Sequence, residues 1–152
     1  MTQLRFGTGT TVRRFDDYGR WLAAAEATGF DLLTCGDSQS LWAECFSLMT
    51  FAAMKTQRAR LAITVSNPVT RHLAVIASAC ASVQQLAEGR FAYGLASGDS
   101  ALRNIGAAPA SVAELERVVR AMQTMTAGGT FDDQRTPLAL HWLGDATPVP
   151  VW

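Results

Sequence analysis

Two hydrophobic periods alternate along the chain. Leu4–Thr8 reads as a short strand, after which Phe15, Tyr18, Leu22 and Ala25 recur at helical spacing. Gly29 stands where a glycine commonly ends a helix. Asp31–Cys35 reads as a buried strand, and Glu44–Lys55 as a second helix with Cys45, Leu48 and Ala52 on one face. The apolar, β-branched run Leu61–Val65 (LAITV) has the character of a central parallel strand. A third helix is predicted over Leu73–Ala87, with Ile76, Ala79 and Val83 inward and Gly89 ending it. Phe91–Ala96 is a fourth strand. Ser111 and Glu114 form an S-x-x-E capping pattern ahead of Leu115, Val118, Met122 and Met125, and Gly128–Gly129 closes that helix. The rhythm then breaks: Phe131–Trp142 predicts an excursion or hairpin, and Pro148–Trp152 opens a further strand. Four successive βα units predict an α/β protein with a parallel sheet, and all 152 residues fall in one domain without an internal linker.

Each predicted strand is apolar until its end and then abruptly polar. The ends read Thr8-Gly9-Thr10, Gly36-Asp37-Ser38-Gln39, Ser66-Asn67-Pro68 and Ser97-Gly98-Asp99-Ser100. A polar loop alone means little, since Ser, Asp and Asn also cap helices. In parallel α/β proteins, however, ligands bind beyond the carboxyl ends of the strands. Four such ends converging on one face predict a site there.

Composition narrows the class. Hydrophobic residues make up 49% of the chain and charged residues 17%, which excludes a disordered chain. The formal net charge is zero and no basic run extends beyond Arg13–Arg14, which argues against a nucleic-acid surface. The apolar runs fall short of a membrane span, and no basic region followed by an apolar stretch opens the chain; a cytoplasmic location is expected. Cys35, Cys45 and Cys80 are too few and too widely spaced for a disulfide framework or a zinc site, and read as buried thiols.

Several chemistries lack their motifs. Gly7-x-Gly9 follows the first strand, but Val12 occupies the place of the third glycine of a dinucleotide fingerprint. No P-loop lysine pattern exists. Gly94–Gly98 is not a G-x-S-x-G elbow, so Ser97 is a poor nucleophile candidate, and no carboxylate pattern around His72 or His141 suggests a metal. Polar groups without a self-sufficient catalytic set are what a cofactor enzyme presents, because the cofactor carries the reactive chemistry.

The stretch Leu61–Gly106 contains the paired blocks SNPVTRH and GLASGDSALRNIG, joined by a helix ending in LAEGR. It resembles the luciferase-like monooxygenase superfamily, and within it the deazaflavin-dependent reductases related to methylenetetrahydromethanopterin reductase. Weaker similarity extends over GFDLLTCGD and the flanking helices. The resemblance implies a (β/α)8 TIM barrel, of which this chain is the N-terminal half: four βα units and the start of strand five. It further implies an oxidoreductase that transfers hydride between deazaflavin coenzyme F420 or FMN and a small organic substrate, with a fragment of the barrel open to being inactive. An FMN-dependent monooxygenase using oxygen, and a non-catalytic flavin-binding or partner protein, are the alternatives; a homodimer is also open.

Carried over by position, Asp37 matches an acidic residue at the end of strand two, and Ser38 falls where many members have a histidine near the substrate. Asp37 and Ser38 are therefore the candidate catalytic positions, although a serine cannot titrate near neutrality. The Thr64–Val65 bond aligns with a non-proline cis peptide that backs the ring in relatives, where glycine usually stands in place of Thr64. Ser66 and Asn67 then sit beside the ring, and Ser97, Gly98, Asp99 and Ser100 match a loop near the cofactor. The implied cofactor-binding set is Thr64, Val65, Ser66, Asn67, Ser97, Gly98, Asp99 and Ser100, with no metal.

Overall fold

A computed structural model describes residues 4–133, 136–145 and 147–152. Its elements follow one another as β1 (Gly7–Gly9), α1 (Phe15–Ala27), β2 (Leu32–Cys35), α2 (Cys45–Lys55), β3 (Arg60–Ser66), α3 (Leu73–Leu86), β4 (Phe91–Leu95), α4 (Ser100–Arg103), α5 (Val112–Thr126), β5 (Phe131–Asp133) and β6 (Thr136–Leu138). β1 to β4 form one parallel sheet in the order β1-β2-β3-β4, and β5 pairs antiparallel with β6. The predicted excursion is thus a small hairpin. The first strand begins at Gly7 rather than Leu4, because from there its residues pair with β2, Gly7 opposite Leu32. The four-residue α4 was not anticipated; it lies inside a polar loop without hydrophobic periodicity.

Sequential strands that all run the same way have no point where the order reverses. The sheet therefore advances in one direction, as a barrel wall does, instead of splitting around a crevice. The chain's last residues continue it: Tyr93 N donates to Pro150 O (2.9 Å), Trp152 N to Tyr93 O (3.0 Å) and Leu95 N to Trp152 O (2.9 Å).

The two sheet faces carry different residues. Leu33 and Cys35, Leu61 and Ile63, and Phe91, Tyr93 and Leu95 join the hydrophobic core with Leu22, Leu48, Met49, Ile76, Cys80 and Met122 of the helices. Burying each large aliphatic side chain stabilises the fold by about 1.5–3 kcal/mol, so this layer holds the sheet on its helices. The alternate positions are mostly small: Gly7, Gly9, Thr34, Ala62, Ala92 and Gly94. Helix ends are fixed locally. The Glu44 carboxylate accepts from the backbone N–H groups of Phe46 and Ser47 at the start of α2, His72 Nδ1 accepts from Ala74 N (3.2 Å) at the start of α3, and Ser111 accepts from Glu114 N (3.1 Å) at the start of α5. Among the described residues no helix is long and apolar enough to cross a membrane.

Candidate functional site

The polar strand ends surround one cavity of about 770 Å³ at the carboxyl end of the sheet, within the size range of small-molecule and cofactor sites. Its wall contains Thr64, Val65, Ser66 and Asn67 from the end of β3, and Ser97, Gly98, Asp99 and Ser100 from the loop after β4. All eight residues expected beside a cofactor thus meet in one wall, though the two groups are about 30 residues apart in sequence. Asp37 also lines the cavity, whereas Ser38 does not. Ser38 is buried, and its hydroxyl is paired with that of Ser100 (2.9 Å) while Gln39 Nε2 donates to Ala101 O (2.8 Å). Those two bonds tie the loop after β2 to α4.

β3 is irregular where it meets the cavity. Ile63 pairs with Tyr93 and Ser66 with Leu95, so Thr64 and Val65 together stand against the single residue Gly94. This is the arrangement of a β-bulge, which breaks the normal alternation of side chains. Thr64 and Val65 are accordingly both exposed, Val65 at 48%, although they sit in a central strand. The Thr64–Val65 peptide is cis although threonine stands where relatives usually have glycine. Just beyond, Asn67 is buried and its side-chain oxygen accepts from Val69 N (3.0 Å) and Thr70 N (2.9 Å). Its oxygen is committed to the turn, which leaves the amide N–H groups as what Asn67 can offer a ligand.

Behind the wall lies a charged cluster that the residue-type reading of the loops missed. Arg71 grips both oxygens of Asp37, at 2.5 and 3.1 Å, and reaches Glu44 at 3.0 Å. Its guanidinium also stands 5.3 Å from the centre of the Phe46 ring. Ser66 Oγ donates to the same Asp37 at 2.5 Å. Burial disfavours the Arg71 charge, but the Asp37 bond and the charges around it prevail and hold the guanidinium protonated. For Glu44, burial pushes its pKa up, but the N–H groups of Ser47 and Phe46 and the Arg71 charge outweigh it and hold the carboxyl below its ordinary range. No local pattern marks Arg71 in the sequence; it is the burial of Asp37 that requires a cation beside it.

Trp42 and Cys35 are among the wall residues that were not foreseen. Trp42 supplies an indole face; its Nε1–H donates to Gly36 O (3.0 Å), so the ring is fixed in place. Cys35 also lines the cavity, but its thiol lies in the core against the Cys45 carbonyl (3.9 Å), and burial and the Asp37 charge push its pKa up to about 12, so it is not a nucleophile at neutral pH. Among the described residues no histidine lines the cavity. Asp99 is exposed and pairs with Arg103 at 3.1 Å, turned toward solvent. All three cysteines are free and buried, as expected, and among the described residues no cluster of metal-ligating groups occurs.

A family model described as luciferase-like monooxygenase matches residues 1–152. Over 77 residues the chain is 35% identical to 5,10-methylenetetrahydromethanopterin reductase of Methanolobus tindarius, covering 51% of this chain and 23% of that protein. The fold is similar to coenzyme F420-dependent tetrahydromethanopterin reductase from Methanopyrus kandleri (TM-score 0.78, 19% identity, 99% of this chain and 47% of that one). It is also similar to the FMN-complexed oxygenating constituent of 3,6-diketocamphane monooxygenase from Pseudomonas putida (TM-score 0.76, 16% identity, 99% of this chain and 51% of that one). The chain therefore spans about half the length of these two structures. Its sheet is the four-strand half of a TIM barrel.

Proposed function

The chain belongs to the luciferase-like monooxygenase family, and on that premise we propose that its cavity holds the ring of deazaflavin coenzyme F420 or FMN for hydride transfer with a small organic substrate. One observation carries the reading. Two polar loops, Thr64–Asn67 and Ser97–Ser100, meet in a single cavity whose wall offers hydrogen-bonding groups and one exposed apolar side chain, Val65. A flat heteroaromatic ring needs that combination: an apolar surface for its face and polar groups for its edge.

The residues present fit such a group. Val65 and Thr64 would meet the ring, the Asn67 amide would donate to its polar edge, and the Ser97 and Ser100 hydroxyls would bond its rim. When bound, the ring supplies the hydride chemistry that no side chain of this cavity can supply. The chain's own groups orient and shield it. Asp37 is tied to Arg71 and Ser66, which makes it a positioning group rather than a proton donor. Ser38 faces Ser100, so it braces the wall instead of touching the ligand. Trp42 closes the side nearest β2 and keeps water from that edge. The coenzyme F420-dependent reductase similar in fold supports the F420 reading, and the FMN-complexed monooxygenase constituent supports the FMN one.

Fluorescence titration of the purified protein with F420 and with FMN tests the proposal. Saturable binding of one ring, weakened in Ser97→Ala or Asn67→Ala, is expected. Failure to bind either ring refutes the cofactor role for this chain, and unchanged affinity in both variants refutes the assignment of this cavity.

A further inference from the structure

The bulge at Thr64–Val65 stands against one residue, and that residue is a glycine. A Cβ placed on Gly94 would lie 2.8 Å from the Ile63 carbonyl oxygen, 3.1 Å from Val65 Cγ1 and 3.7 Å from Thr64 Cα. The first of these is closer than real Cβ atoms come, and its partner is backbone, which cannot swing aside. Gly94 lies in the middle of β4, where glycine weakens a strand and gives no side chain to pack. The neighbours on that strand, Ala92 and Tyr93, carry side chains and pair regularly with Ala62 and Ile63. The missing side chain thus coincides with the extra residue on the adjacent strand.

The consequence reaches the cavity. With two residues opposite one, Thr64 and Val65 are both exposed, and both line the cavity. Past the bulge the ladder resumes at once, with Ala96 N donating to Ser66 O (2.9 Å), so Ser66 and Asn67 are registered from the same point. A regular β3 would carry one residue fewer between Ile63 and Ser66 and would present one side chain there instead of two.

We propose that Gly94, which does not line the cavity, is a positioning residue of the ring site: its empty face lets the Thr64–Val65 bulge dock on β4 and so presents both residues to the ligand. The inference rests on the reading that this cavity holds a flavin or deazaflavin ring. Gly94→Ala should push the bulge away from β4 and displace Thr64 and Val65, while the strands on either side keep their pairing.

Stability alone could explain a loss in that variant, so a second variant separates the two roles. Gly94→Ala combined with deletion of Val65 removes the extra residue, restores one-to-one pairing between Ile63 and Ser66, and relieves the crowding. The measurements are thermal melting and fluorescence titration with F420 and FMN, run on wild type, Gly94→Ala and the combined variant. Gly94→Ala is expected to melt lower and to bind the ring at least about tenfold more weakly, a difference of roughly 1.4 kcal/mol. The combined variant is expected to regain melting temperature without regaining affinity. Recovery of both together, or wild-type affinity in Gly94→Ala, overturns the positioning role and leaves the cofactor reading standing. Wild-type protein that binds neither ring overturns that reading, and the positioning role with it.

Discussion

Arg71→Met is the sharpest probe of the cluster behind the cavity. The Asp37 side chain is 1% exposed and that of Arg71 17%, so this pair is shielded from the solvent that weakens surface ion pairs. Removing the guanidinium leaves the Asp37 carboxylate with Ser66 as its hydrogen-bonding partner in that cluster. Breaking a buried pair from one side costs about 3–5 kcal/mol, most of it the desolvation of the charge left behind. Loss of the contact over Phe46 adds about 0.5–2 kcal/mol. Against a typical total of about 5–15 kcal/mol, the variant stands near unfolding. Urea denaturation followed by circular dichroism measures this. With a mid-range slope of about 2 kcal/mol per molar, the midpoint should fall by roughly 2–3.5 M. Asp37→Asn in the same background removes the stranded charge and should restore more than half of the loss. A loss below about 1 kcal/mol in Arg71→Met would refute the reasoning, because it would give the pair the energetics of an exposed one. A double variant as unstable as the sum of its parts would refute it too, since contacting charges must couple.

Glu26 predicts acid behaviour. Its carboxylate accepts from the backbone N–H groups of Gln57, Arg58 and Ala59; burial pushes its pKa up, but those bonds outweigh it and hold the value below the ordinary 4.5. A lowered folded value means stability present above pH 4.5 and lost as pH falls through the folded value. Glu26→Gln should therefore be less stable than wild type at pH 6, with the difference shrinking toward pH 3 in parallel urea titrations; a gap that widens in acid would contradict the sign. The cysteines give a kinetic test. All three are buried, and burial first of all pushes the thiols of Cys35, Cys45 and Cys80 up. Ellman's reagent should label none rapidly in the native protein at pH 8 and all three in urea, and a fast native thiol would show that the core around it opens.

How much of this was legible beforehand follows from where the information sits. Helices α1, α2, α3 and α5 and strands β2 to β4 announce themselves, because hydrophobic periodicity, caps and glycine stops act over a few residues of chain. α4 did not, since four residues in a polar loop carry no period. The polar residues after each strand were legible for the same reason: an apolar run that ends in Ser-Asn or Ser-Gly-Asp marks itself. A parallel sheet then obliges those ends to lie on one side, which made the site's location a deduction from topology.

What the sequence by itself determined is therefore the order of the main elements, the class of fold and the end of the sheet where the cavity lies. Tertiary structure decided the partners. Arg71 meets Asp37 across 34 residues, Ser38 meets Ser100 across 62, and Glu26 caps a turn more than 30 residues away. Ser38, read by position as a candidate beside the substrate, is turned into a brace by a hydroxyl that no local pattern could place. Gly94 carries no local mark of a role in the sequence; its missing side chain matters because the extra residue of β3 stands against it. Local preference is a property of neighbours in the chain, whereas ion pairing, bracing and bulge docking depend on distances that exist only after the strands have been laid side by side.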